Sequence, residues 1–217
     1  MGWLKNFHDD KISIMVNDGL RARKRAETRH RISDRATRLF ERDGFENVTL
    51  AQVAEAADVS VKTVTNYFRA KEDLFFDAEP AILQALVDAL RHRASASVTA
   101  TLRPLILDGP LLAAPCPWSG VDADTWNAMR VWARCEDDSP TLRTGRAAIL
   151  QSWLDPLAAA SGSAPWAALM VGALILRHDL LQQGLLGEAE PAEVERRIRD
   201  VAGQALEALE RGFSGML

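Results

Sequence analysis

At 217 residues the chain can bury a substantial core as one domain or two. Hydrophobic residues make up 47% of it, with Ala and Leu abundant and Tyr nearly absent, which favours helices over sheet; Cys116 and Cys135 supply neither a disulfide framework nor a zinc-ligand spacing. A net charge of −4 argues, taken alone, against nucleic acid, but residues 21–42 hold nine Lys or Arg against three acids, and charges beyond a Debye length of about 8 Å cannot cancel that concentration.

Residues 1–19 mix Trp3, Lys5, Asp9, Asp10 and Lys11 with no continuous apolar core. They are expected to be a flexible tail rather than a signal peptide, with Ile12, Ile14 and Val16 available to dock. From Gly19 a basic arm carrying Arg21, Arg23, Lys24 and Arg25 leads into a first helix, roughly Arg25 to Arg42. Ile32, Ala36, Leu39 and Phe40 form its apolar stripe. Asp43-Gly44 is the stop, because Gly can take the left-handed conformation that ends a helix. The arm reads either as a solvated helix start or as cations for phosphates or a minor groove.

The stretch from Thr49 to Phe68 contains two helix starts about a dozen residues apart, the spacing of a helix-turn-helix. Thr49 and Gln52 form a capping box, with Val48 and Val53 as its hydrophobic staple. Ser60 is the second N-cap, with Val59 and Val64 as its staple. Ala54 lets the second helix cross closely, and Asp58 sits at the tight turn. The second helix carries Val61, Lys62, Thr63, Thr65, Asn66 and Tyr67 in its first two turns. Such a helix can enter a major groove with Lys62 and Asn66 reading base edges, while Thr49, Ser60, Thr63, Tyr67 and Lys71 hold phosphates.

Residues 29–75 resemble the DNA-binding domain of the TetR family of transcriptional regulators. The pattern is met by Ala36, Leu39, Phe40, Gly44, Phe45, Thr49, Val53, Ala54, Ala57, Val59, Ser60, Thr63, Val64, Tyr67, Phe68, Lys71 and Leu74. Asp58 stands where the family often has Gly, and Thr65 where it often has Tyr. The resemblance covers under a quarter of the chain. It implies a homodimer and an effector pocket in the helices that follow.

A fourth helix is expected from near Lys71 towards Arg93, with Glu72 and Asp73 suited to its first turn. Pro80 cannot donate to the Phe76 carbonyl, so this helix should kink there or break and restart; a bend at Pro80 reads either as the route from an effector to the DNA-binding domain or as a fixed kink that shapes the domain junction. A fifth helix around Val98–Leu107 contains Pro104, and Asp108 to Gly120, rich in Pro and Gly, is a loop. Asp122 to Asp137 reads as a sixth helix. Ser139-Pro140 opens a seventh through Leu157, with Pro156 distorting its end. An apolar eighth helix, about Ala164 to Gln183, and a ninth from Pro191 to about Arg211 follow. The longest apolar run, Ala164 to Leu176, is about 13 residues and reads as a buried helix, so no membrane is expected.

Ala164, Ala168 and Gly172 recur every four residues as a small-residue ridge. Val194, Ile198, Val201 and Ala205 alternate by four and three, the seam of a helix pair. They read as a homodimer through a four-helix bundle or as an intrachain core. Trp118, Trp126, Trp132 and Trp153 cluster in the middle helices; with Leu83, Leu86, Leu90, Met129 and Met170 they read as a pocket for a hydrophobic small molecule or as core filling. His92 and His178 are lone, and no nucleophile elbow, phosphate loop or paired Cys-x-x-Cys occurs, so neither an enzyme nor a cofactor or metal site is expected.

The expected organisation is all-α: a tail (1–19), a three-helix helix-turn-helix domain (20–70) and a helical effector-binding and dimerisation domain (71–217). The expected function is a cytoplasmic one-component regulator, a repressor binding a palindromic operator as a homodimer and released by a hydrophobic effector. The alternative is a constitutive or partner-dependent DNA-binding protein without a small-molecule effector.

Overall fold

The computed structural model describes residues 20–94, 97–107, 121–187 and 189–214. Among them lie eleven helices and no strand. They fall into two compact units: the chain up to Asp77 with Arg134–Leu142, and Ala78–Ala133 with Arg143–Leu217. The expected tail, the loop at 108–120, Trp118 and Cys116 lie outside the described residues.

The first unit is built on α1 (Leu20–Asp43), which starts earlier than its apolar stripe requires. Residues 23–27 are exposed, and local pairs sustain the extra turns: Arg23 to Glu27 at 3.2 Å and the Thr28 hydroxyl to the Lys24 carbonyl at 2.9 Å. Ile32, Ala36 and Phe40 are buried beneath it. The helix stops at Gly44, whose φ of 77° is cheap only for a residue without a Cβ. α2 (Leu50–Ala56) and α3 (Val61–Tyr67) follow, then the one-turn α4 (Glu72–Phe75).

Phe40, Phe45, Phe75 and Phe76 form a chain of ring contacts with centroids 5.1–6.2 Å apart. This cluster places α4 in the N-terminal unit, beyond the expected boundary at residue 70. Cys135 and Ser139 belong to the same unit. The Cys135 thiol donates to the Phe40 carbonyl at 3.8 Å, and the Ser139 hydroxyl donates to the Glu46 carboxylate, holding that carboxyl below its ordinary pKa.

The second unit contains α5 (Glu79–Arg91), α6 (Val98–Leu107), most of α7 (Ala123–Asp138) and α8 (Pro140–Ser152), then α9 (Leu154–Ser161), α10 (Ala164–Leu186) and α11 (Pro191–Gly212). The expected long fourth helix is broken. α4 ends at Phe75, and α5 restarts at Glu79 with Pro80 in its first turn, where a missing N–H costs nothing. Pro80 is therefore a helix starter, and the joint is Phe76–Ala78. The seventh expected helix is likewise divided, at Trp153, leaving Pro156 in the first turn of α9.

α10 is the one helix among the described residues long and apolar enough to cross a membrane. Its buried side includes Trp166, Met170, Leu174, Arg177, His178 and Leu181, and α9 and α11 pack on it, which makes it the core helix of its unit. Trp166 Nε1 donates to the Thr99 hydroxyl at 2.8 Å, and Arg177 Nε to the Ile106 carbonyl at 2.7 Å, tying α10 to α6. At its far end Gly184 admits the side chain of Val194 from α11.

Candidate nucleic-acid interface

The turn between α2 and α3 is set by local hydrogen bonds. The Gln52 N–H donates to the Thr49 hydroxyl at 3.2 Å and the Thr49 N–H to the Gln52 side-chain oxygen at 2.8 Å, the reciprocal capping box. α2 ends with Val59 N–H donating to Ala54 O and Asp58 N–H to Glu55 O, at 3.0 and 3.1 Å. This is the two-bond Schellman ending, with Asp58 at φ 53° in the left-handed position. Asp tolerates that region better than most non-glycine residues, so the turn forms without Gly. Ser60 then caps α3 by accepting from the Thr63 N–H at 3.0 Å.

α3 buries Val64 completely and its C-cap Phe68 nearly so. At 100° per residue this turns Val61, Lys62, Thr65 and Asn66 outward, and all four are exposed. Phosphate oxygens only accept, so what matters on this face is which donors remain. The Thr49 hydroxyl donates to the Gln52 side chain at 2.8 Å and the Thr65 hydroxyl to the Lys62 carbonyl at 3.1 Å. Ser60 and Thr63 share one hydroxyl–hydroxyl bond of 2.8 Å, so one of their two hydrogens is left. The Lys62 and Asn66 side chains make no hydrogen bond or ion pair among the described residues.

Lys71 is partly committed inside its own unit. Its ammonium donates to the Phe45 and Val48 carbonyls at 2.8 and 3.0 Å and lies 4.1 Å from the Phe45 ring centroid. It clamps the loop before α2 and keeps one N–H.

On α1, Lys24, Arg31 and Arg35 are exposed and have no acidic partner among the described residues, whereas Arg38 and Arg42 pair with Asp34 and Asp43. Sequence reading missed Arg29, which donates to the Tyr67 carbonyl, pairs with Asp77 and stacks on Phe68. The Arg25 guanidinium lies 5.7 Å from the Tyr67 ring. A separation of 38 to 48 residues leaves no local signal for such contacts.

In the second unit the expected seam divides. Ala164, Ala168 and Gly172 are exposed along one face of α10 with Leu169 and Ile175, and a Cβ on Gly172 would meet nothing within 4 Å. Val201 is exposed and Ala205 half-buried, but Val194 and Ile198 are buried inside the unit. The heptad spacing thus marks mainly the contact of α11 with its own chain. Among the expected pocket residues Leu86, Leu90, Trp126, Met129, Trp153 and Met170 are buried, while Leu83 and Trp132 are half-buried. Trp126 Nε1 and Arg130 Nη2 both donate to the Ala189 carbonyl, at 3.3 and 3.1 Å, so that indole is tied to the α10–α11 turn. Missed entirely was the buried ion pair of Glu79 and Arg146. No cluster of His, Cys, Asp and Glu able to hold a metal occurs among the described residues.

Residues 32–78 match the family described as bacterial regulatory proteins, tetR family. The HTH-type transcriptional regulator TcmR of Streptomyces glaucescens is 37% identical over 75 residues, which is 35% of this chain and 33% of that protein. The chain thus spans about a third of the length of this curated relative. A TetR transcriptional regulator from Rhodococcus sp. RHA1 is 17% identical with a TM-score of 0.49, covering 88% of this chain and 99% of that one. NalD of Pseudomonas aeruginosa, the secondary repressor of the MexAB-OprM multidrug efflux pump, is 18% identical with a TM-score of 0.48, covering 88% and 97%.

Proposed function

From a domain that belongs, over residues 32–78, to the tetR family of bacterial regulatory proteins, we propose that the chain is a one-component transcriptional regulator, a cytoplasmic repressor that binds a palindromic operator as a homodimer. The observation that carries this reading is the outer face of α3. Lys62 and Asn66 stand exposed beside each other with their donors uncommitted, on a helix whose start is capped and whose inner face is locked by Val64. Lys pairs with guanine acceptors and Asn with the donor–acceptor edge of adenine. Tyr67, the remaining hydroxyl hydrogen of the Ser60–Thr63 pair and the third N–H of Lys71 are the phosphate donors.

Dimerisation runs through the exposed face of α10, where Ala164, Ala168 and Gly172 permit close approach and Leu169 and Ile175 supply apolar area. Two copies then present α3 to half-sites about 34–36 Å apart or multiples of that. A hydrophobic small molecule bound in the second unit, among Leu86, Leu90, Met129, Trp153 and Met170, releases the operator. Its leverage is its differential affinity for the two states, typically about 1–3 kcal/mol.

The test is selection of binding sequences from a randomised duplex pool. An inverted repeat should emerge, and Asn66→Ala should relax one position in each half at roughly 1–3 kcal/mol. Failure of any sequence to enrich refutes the reading. Equal loss of operator and random DNA on Asn66→Ala refutes the role of that residue.

A further inference from the structure

We propose that Arg29 positions the recognition helix α3, and that the Asp77 carboxylate is the handle through which the rest of the chain acts on it. This rests on the DNA-binding reading above and names how that same site is regulated.

α3 spans seven residues, about two turns, too short to be stable alone. Its last carbonyls lack intrahelical donors. Arg29 meets that need from α1: its Nη1 donates to the Tyr67 carbonyl at 3.0 Å, and its guanidinium lies 4.2 Å from the Phe68 ring centroid. A cation at this end also opposes the helix dipole. The other terminal nitrogen, Nη2, is paired with the Asp77 carboxylate, whose side chain is only 13% exposed.

Because the guanidinium is a rigid planar fork, its two nitrogens cannot move independently. The Tyr67 carbonyl and the Asp77 carboxylate are therefore held at a fixed separation. Asp77 is the last residue of the N-terminal unit before Ala78. It also lies in the non-helical joint between the end of α4 at Phe75 and the start of α5 at Glu79. A displacement of the chain at Ala78 rotates the Asp77 carboxylate. That turns the fork and shifts the last turn of α3, where Asn66 and Tyr67 stand.

The experiment uses the full chain with Arg29→Gln, Asp77→Asn and the double variant. Two readouts are needed: affinity for the selected operator duplex across a salt series, and hydrogen exchange of the Tyr67 and Phe68 amides without DNA. Both terminal nitrogens of Arg29 are committed inside the unit, so Arg29→Gln should weaken operator binding about tenfold, the scale of a charged hydrogen bond, with the slope of log affinity against log salt unchanged. Asp77→Asn should weaken it by about three- to tenfold and speed exchange at both amides, and the double variant should be little worse than Arg29→Gln.

A fall in salt slope of about 0.9 on Arg29→Gln marks a phosphate contact and overturns the positioning role. Additive losses in the double variant, or unchanged exchange in Asp77→Asn, overturn the handle. If the unsubstituted chain enriches no duplex, the DNA-binding reading fails by itself, whereas the exchange readout judges the clamp separately.

Discussion

Replacing Gly184 by Ala probes how closely α10 and α11 meet. A Cβ there would lie 2.4 Å from one γ-methyl of Val194, 3.0 Å from the other and 3.3 Å from its Cβ. Carbon atoms prefer about 3.5–4.0 Å, so all three contacts are repulsive. Val194 is 3% exposed, and a β-branched residue in a helix strongly prefers one rotamer, so its methyls cannot swing clear. Overpacking of this kind costs about 1–3 kcal/mol, against roughly 1 kcal/mol gained by replacing Gly with Ala in a helix. The net expectation is a loss of up to about 2 kcal/mol, or a Tm lower by up to about 8 °C for a chain of this size. Thermal and urea unfolding followed by circular dichroism measure it. Adding Val194→Ala should relieve the clash, so the double variant is more stable than the sum of its parts by at least about 0.5 kcal/mol. A rise in Tm on Gly184→Ala alone would refute the close approach.

Gly172→Leu, on open space in its own chain, should leave unfolding of the protomer nearly unchanged while sedimentation shifts towards monomer; an unaltered dimer removes this face from the interface. Asp58→Gly should stabilise the N-terminal unit by up to about 1 kcal/mol, whereas Asp58→Val should cost about 1–2 kcal/mol and weaken operator binding, since φ 53° is hostile to a β-branched residue. Glu79→Ala should cost about 3–5 kcal/mol by removing the carboxylate paired with the buried Arg146 charge, and Glu79→Leu with Arg146→Met should recover most of it; denaturant titration decides. Burial pushes the Cys135 thiol up from 9.0 to about 11. The folded state therefore keeps its proton where the unfolded chain loses it, and this contribution is complete below about pH 9 and lost as pH rises through about 11. Cys135→Ala should flatten that alkaline decline in stability, and a thiol reagent at neutral pH should leave the folded chain's Cys135 unmodified.

The sequence alone determined the helix-turn-helix, because its signals are local. Thr49 with Gln52, Ser60 with Thr63 and Gly44 each act within four residues of backbone, so the residue types announce the geometry. Periodicity also found the apolar faces, since Ile32, Ala36, Phe40, Val64 and Leu86 are all buried. Spacing shows that a face is apolar but not what covers it. Val194 and Ile198 carry the same heptad pattern whether the partner helix is their own or another copy's, and the fold gives them to their own chain. Pro80 signalled an interruption, but the tertiary structure decided that α4 stays with the phenylalanine cluster while α5 begins a second unit. Which glycine admits a neighbouring helix, which lysine clamps a loop and which arginine joins Tyr67 to Asp77 depended on residues 10 to 48 positions away. Those pairings are set by how the chain packs in three dimensions, and no local propensity encodes them.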